Sequence, residues 1–309
     1  MKKNRLLGVM FILLTILLVA CGKDNTNKDK LNVVSTFTII TDMVEEIGKD
    51  KVDVHNLVPT GTDPHEYEPL ANDLRKASNA DILFYNGFNL EGGKKGWFFK
   101  MLKTINKDEK LAYNLSEGTK ELYLNEVNPT PETINPHNFI SPKNGLIMAK
   151  NILKGLIEVD AENKDYYEKN YNVFKTKLEE IEKKYEEEFS KISNEERIIV
   201  TSERAFQYLA KDYNIKEGYI WAIDTDENGT KEQITKLIEF IKENKIKYLF
   251  LESNVDPRPM KTISEETNIP IYKDYIFSDE IGKKGEINDT YIKYLEHNLK
   301  VFINGIKGE

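Results

Sequence analysis

The sequence predicts an α/β protein of two lobes, each a mainly parallel sheet with flanking helices, joined by one long backbone helix. Three observations carry this. From Leu31 onward, short apolar runs alternate with amphipathic stretches, the pattern of parallel strands covered by helices. One unbroken apolar stripe runs through 163–192. Strand and helix patterns then resume from Arg197. The boundaries that follow are a first lobe over 31–158, a linking helix over 159–193 and a second lobe over 194–309.

In the first lobe, 31–37, 52–58 and 82–85 read as strands, with helices over 39–47 and 69–78 between them. Residues 114–135 show no strong period and read as loop. A helix is expected over 142–157, with Pro142 in its first turn, where a missing N–H costs nothing. In the linking segment, Tyr167, Tyr171, Phe174, Leu178, Ile181, Tyr185 and Phe189 recur at steps of three and four. That places them on one face of a single helix. A coiled-coil arm would carry the same stripe, but the α/β pattern beyond it favours a crossing between lobes. In the second lobe, 197–201, 218–223, 247–251 and 269–272 read as strands, and 205–213, 231–244, 259–267 and 289–305 as helices.

The N-terminus is a separate matter. Lys2, Lys3 and Arg5 precede an apolar run from Leu6 to Ala20, and Leu18-Val19-Ala20-Cys21 reads as a lipobox. The run is short for a transmembrane helix and has the flanks of a signal peptide. Residues 1–20 are expected to be a signal peptide, Cys21 the lipidated residue, and 21–30 a polar tether. The mature chain would then be exported and held by acyl chains at the outer face of a membrane. An uncleaved anchor helix with an incidental cysteine is the competing reading.

Cys21 is the one cysteine, so no intrachain disulfide is expected and the core must come from packing. Losing Lys2, Lys3 and Arg5 with the leader takes 44 basic residues to 41 against 52 acidic ones, a balance of −11. Such a chain lacks the basic surface that nucleic acid requires. About 280 ordered residues suffice for two cores. The default ligand site is then the cleft between the lobes, at the carboxyl ends of strands.

Two of the four histidines have unusual surroundings. His65 lies in Gly61-Thr62-Asp63-Pro64-His65-Glu66-Tyr67-Glu68-Pro69, just after a strand, and His137 lies in Asn135-Pro136-His137-Asn138-Phe139, just before a helix. A preceding proline limits where an imidazole points, which suits a metal ligand. A loop histidine is otherwise a surface side chain or a cap. His55, within a strand, and His297, within the last helix, read as structural. In the second lobe, Glu203 closes Thr201-Ser202-Glu203 at a strand end, where it could also cap the next helix. Asp279 follows the last strand, with Asp274 and Glu280 as competitors. If His65 and His137 met Glu203 and Asp279 across the cleft, two neutral nitrogens and two carboxylates would hold a divalent ion. Without a thiolate the set favours Mn²⁺ or Fe²⁺ in use, although zinc can match them in bare affinity.

With these motifs the chain resembles the metal-binding solute-binding lipoproteins of bacterial ABC importers, the zinc/manganese class. It is most similar to the manganese-binding surface lipoproteins first described as streptococcal adhesins. The resemblance runs from Leu31 to the C-terminus, plus the lipobox. It rests on GTDPHEYEP, FNLEGGKKGWFFKML, NPHNFIS, TSERAFQYLAKDY and ESNVDPRPMKTISEETNIPIY leading to IFSDE. It implies two α/β lobes on one long helix and the ligands His65, His137, Glu203 and Asp279. It further implies a permease partner in the membrane of a Gram-positive bacterium and a monomeric protein.

Two departures stand out. Asn135 and Phe139 occupy positions that are usually aspartate and tryptophan, and Arg204 one that is commonly small. Both could alter the groups that orient the ligands. Glutamate as third ligand, and no histidine-rich loop between His65 and His137, lean toward manganese over zinc, with iron possible. The expectation is a capture protein, not an enzyme. A metallohydrolase would need an open coordination position and a general base, and no HExxH motif is present. A siderophore receptor would line its cleft with aromatic or basic groups. A surface adhesin with a structural metal is a third alternative.

Overall fold

The first sheet is built on β1 (Leu31–Phe37), β2 (Val52–Val58), β3 (Ile82–Tyr85) and β4 (Ala112–Asn114), in the order β2-β1-β3-β4. All three pairings are parallel, which demands a crossover between strands. The crossovers carry α1 (Thr38–Gly48), α2 (Ala71–Asn79) and α3 (Trp97–Thr104). The computed structural model describes residues 30–223 and 229–309. The expected signal peptide, the lipidation site Cys21 and nearly all of the tether lie outside the described residues. Among those residues, no helix is long and apolar enough to cross a membrane.

Each core element buries what its pattern foretells. On α1, Ile39, Ile40, Met43, Val44 and Ile47 are buried, the stripe of an amphipathic helix lying on a sheet. Helix α4 (Pro142–Val159) starts on Pro142 and lies against the sheet through Gly155. A Cβ at that glycine would sit 2.7 Å from Phe84 Cε1 and 3.0 Å from Ile82 Cδ1. Both contacts belong to fully buried residues, so neither can yield cheaply. Gly155→Ala is expected to destabilise the protein by about 1–3 kcal/mol, despite alanine's better helix propensity. A thermal melt with an unchanged or raised midpoint would show that the sheet can give way here.

Helix α5 (Lys164–Ser190) spans 27 residues, roughly 40 Å. Tyr167, Phe174, Leu178, Ile181, Tyr185 and Phe189 form its buried stripe. Its first half is tied to α1 and the turn after it: Asn170 Nδ2 donates to Ile47 O at 3.1 Å, Lys177 pairs with Glu46 at 3.0 Å, and Tyr166 bonds Asp50. Its second half is tied to α9 (Tyr291–Lys307), where Tyr185 Oη donates to Leu295 O at 2.7 Å and Lys184 pairs with Glu296 at 2.8 Å. Helices α1 and α9 also meet directly. Tyr291 N donates to Asp42 Oδ2 at 2.8 Å, and burial pushes that carboxyl up to about 7, against the pull of the Tyr291 amide.

The second sheet is regular only over β5 (Ile198–Glu203) and β6 (Lys216–Trp221), again parallel. Helices α6 (Gln207–Tyr213), α7 (Lys231–Glu243) and α8 (Pro257–Thr267) complete this half. The stretches 247–251 and 269–272, expected as strands, form only an isolated parallel bridge at Leu249–Ile271, with a second just beyond them at Glu252–Ile276. Two causes are visible. Pro270 has no N–H to give a ladder. The amides of Ser202 and Glu203 turn to the Glu252 carboxylate, at 2.9–3.1 Å, rather than to a backbone carbonyl. The chain still runs alongside β5, since Phe250 N donates to Val200 O at 2.8 Å. Two further corrections concern α3 and β4, which the sequence did not mark. On α3, Trp97, Phe98, Phe99, Met101 and Leu102 are buried and Lys100, Lys103 and Thr104 exposed, but eight residues are barely two turns, too few for the period to be read. Strand β4 has three half-buried residues, too few for alternation to register.

Candidate metal centre

His65, His137, Glu203 and Asp279 are all buried; Glu203 is the last residue of β5, and the other three lie on loops. The structure brings His65, His137 and Asp279 together, with Glu203 beside His137. His137 Nε2 is 3.4 Å from Glu203 Oε1 and 3.3 Å from Asp279 Oδ1. The His65 and His137 rings stand edge to face with centroids 5.3 Å apart. One donor atom each from His65, His137 and Asp279 falls within 4.8 Å of the others, and Glu203 joins them through His137. The competing acids do not reach this point: Asp274 is exposed, and Glu280 is bonded to Gly61 N and to Ser253 Oγ.

Each side chain is held by its own loop. His65 follows Pro64 on the loop after β2; its backbone N–H donates to Asp63 Oδ1 at 2.7 Å, and Trp97 Nε1 donates to Pro64 O at 2.8 Å. The Trp97 ring packs against Tyr67 at 5.3 Å, so the helix that the sequence did not mark anchors this loop. Asp279 is steadied by Ser278 Oγ at 3.2 Å and Asn254 Nδ2 at 3.3 Å, with Tyr294 Oη donating to Ser278 O at 2.8 Å. Glu203 ends β5, and the buried Glu252 carboxylate receives its amide.

Asn135 sets the state of His137. Its Nδ2 faces two acceptors, Arg204 O at 2.8 Å and Gln207 Oε1 at 3.0 Å. Its Oδ1 faces the His137 amide at 3.0 Å and His137 Nδ1 at 2.8 Å. The amide can take only one orientation with two acceptors on one side and a backbone donor on the other. Nδ1 must therefore carry the proton, and Nε2 presents its lone pair toward the two carboxylates. Burial holds the His137 imidazole well below its usual value, and the neighbouring His65 presses the same way. Burial also lowers His65, against the attraction of Asp63. Both rings are thus kept neutral, the form that binds metal. Neither His65 Nε2 nor His137 Nε2 has a hydrogen-bond partner among the described residues. That is unusual for a buried polar atom.

The other two histidines have ordinary partners: His55 Nε2 meets Asp73 at 2.8 Å and His297 Nε2 donates to Tyr275 O at 2.8 Å. Sequence reasoning missed Glu252 and Asn254. Their signal was faint, an acid and an amide at the end of the apolar run Lys247–Leu251, the position that Glu203 holds after its own run. A second buried carboxyl, Glu91, accepts from Thr36 Oγ1 and Asn86 N, both at 2.7 Å. Burial pushes it up to about 7. Asn86 Nδ2 in turn donates to Pro136 O at 2.8 Å, so Glu91 supports the His137 loop from beneath.

Known proteins resemble this chain along nearly its whole length. Residues 33–305 match the family model described as zinc-uptake complex component A, periplasmic (ZnuA). The chain is 46% identical over 310 residues, 99% of both chains, to a protein of Streptococcus anginosus named manganese ABC transporter substrate-binding lipoprotein PsaA. Among solved structures, the Mn-bound periplasmic metal binding protein of Candidatus Liberibacter asiaticus superposes with a TM-score of 0.80 at 28% identity, covering 89% of this chain and 98% of that one. The periplasmic zinc binding protein TroA of Treponema pallidum shares the fold, with a TM-score of 0.80 at 21% identity over 90% of this chain and 99% of that one.

Proposed function

We propose that this chain, which belongs to the family of periplasmic zinc-uptake complex component A, captures a divalent transition-metal ion, foremost Mn²⁺, and delivers it to an ABC permease. The observation that carries the reading is the spacing of the donors. Around an ion bound at about 2.1 Å in tetrahedral geometry, neighbouring ligand atoms stand about 3.4 Å apart. His137 Nε2 lies 3.4 and 3.3 Å from the two carboxylate oxygens, too long for strong hydrogen bonds and right for a shared cation.

His65 and His137 supply neutral nitrogens, and Glu203 and Asp279 supply charge. Two imidazoles with two carboxylates and no thiolate form a harder donor set than structural zinc sites use, which supports manganese. Zinc or iron remains the alternative cargo, since affinity for N/O sites rises from Mn²⁺ toward Cu²⁺. Four protein donors leave little room for a substrate beside the ion, which supports capture rather than hydrolysis. Lipidation at Cys21 would keep the protein on the outer face of the membrane beside its permease, as a monomer.

The test is a titration of chelator-treated protein with Mn²⁺, read by competition against a metal indicator. One ion per chain is expected. Because burial lowers both imidazoles from 6.5, neither needs to lose a proton at pH 7. Affinity should hold from about pH 7.5 down to about 6.5 and weaken only below that. Binding that already declines with acidification above pH 7 would show that the rings carry protons, and absence of saturable binding would end the proposal.

A further inference from the structure

The residue that follows each carboxylate reaches across to the loop that carries an imidazole. After Glu203 comes Arg204, whose Nε donates to Glu217 Oε1 on β6 at 2.7 Å. From that anchor Nη1 donates to Leu124 O at 2.9 Å and Nη2 to Glu126 Oε1 at 2.7 Å. Gln207 Nε2 adds a bond to Tyr123 O at 3.1 Å. The grasped segment doubles back on itself, with Leu124 N donating to Thr133 O at 2.7 Å and Asn135 N to Leu122 O at 2.8 Å. Holding 123–126 therefore holds Asn135, and Asn135 holds His137. After Asp279 comes Glu280, whose carboxylate takes Ser253 Oγ at 3.1 Å and the backbone N–H of Gly61, four residues before His65. Thr60 Oγ1 donating to Ile281 O at 3.0 Å, and Ile281 N donating to Thr38 Oγ1 at 3.1 Å, lie beside it.

Neither side chain is needed to coordinate an ion, yet both are substantially withdrawn from solvent: the Arg204 side chain is 11% exposed and Glu280 9%. Long charged side chains are rarely buried without a purpose. Here each joins the backbone behind a carboxylate to the backbone before a histidine. An ion held from both sides can leave only when an imidazole loop parts from a carboxylate loop. Each parting breaks one of these connections. We propose that Arg204 and Glu280 are two clasps between carboxylate and imidazole loops, positioning residues that set how long the ion stays. This rests on the metal-capture reading.

The experiment is release of Mn²⁺ from the preloaded full-length protein into excess chelator, followed by stopped flow. Arg204→Ala and Glu280→Ala are each expected to speed release by about 10–100-fold, the range seen for groups that orient ligands. The double variant should approach the product of the two, since the clasps share no partner. Glu280→Gln keeps an acceptor for Gly61 N–H and should restore slow release. Arg204→Lys offers one point charge for a planar fork and should not. Glu126→Ala, at a side chain 66% exposed, guards against a failure of Arg204→Ala to fold and should speed release several-fold. Hydrogen exchange over 122–135 should quicken in both Arg204→Ala and Glu126→Ala. Release within twofold of wild type in the Glu280→Ala and Glu126→Ala proteins would overturn the proposal, whatever happens to their melting points. A wild-type chain that holds no Mn²⁺ would instead remove the metal-capture reading beneath it.

Discussion

Replacing Glu203 with alanine is expected to weaken Mn²⁺ binding by more than about 100-fold, beyond what loss of an orienting neighbour produces, and Asp279→Ala should do the same. Both carboxylates are fully withdrawn from water, Glu203 at 0% and Asp279 at 2% exposure. Together they would supply the negative charge that answers a divalent cation. With one gone, the ion keeps a net charge in a low-dielectric surround, where an unmatched charge is costly. A second, opposite consequence separates this from simple damage. Two acids buried 3.3–3.4 Å from one imidazole cost desolvation that only a bound cation offsets in full, so either alanine variant is expected to melt no lower than wild type once metal is removed. Equilibrium binding and a chelator-treated melt read the two effects. Affinity within tenfold of wild type for both variants would refute the assignment of these residues as ligands.

Mn²⁺ itself should raise the melting temperature substantially. A ligand that binds only the native state adds about 4 kcal/mol at a free concentration 1,000 times its Kd. For a unit of this size that corresponds to roughly 10 °C. The candidate donors come from both halves of the chain, His65 and His137 from loops of the first half, Glu203 from the end of β5 and Asp279 from the stretch after the Glu252–Ile276 bridge. The bound ion therefore joins segments that would otherwise part during unfolding. Scanning calorimetry with saturating Mn²⁺ and with chelator should show the rise and its loss, and Asp279→Ala should show almost none of it. A shift under about 2 °C at saturation would mean that the ion is not gripped by the native fold.

Much of the frame was legible because its signals are local. Strands β1, β2 and β3 stand at the residues that the apolar runs marked, and the stripe from Tyr167 to Phe189 is the buried face of α5. The last helix lies two residues later than its pattern suggested, within the ordinary uncertainty of helix ends. What escaped was either too short or too remote. Helix α3 has too few residues to show a period, and 247–251 has strand composition but spends its neighbour's amides on Glu252. The four candidate ligands could be picked out because proline, glycine and strand ends mark their positions. Their supports could not. Glu280 meets Gly61 across 219 residues, and Arg204 meets Glu126 across 78. No window of sequence contains both ends of such a bond. Asn135 could be flagged only as a departure, and its role in orienting His137 became visible once Arg204 O and Gln207 Oε1 were seen on its far side.

Helix α5 carries no glycine and no proline between Lys164 and Ser190, so it has none of the usual places to bend, and it is fastened to α1 near one end and α9 near the other. A spine braced in this way does not flex along its own length. Any movement that admits or frees a ligand therefore falls to the loops at the strand ends, while the two sheets keep their places on the helix.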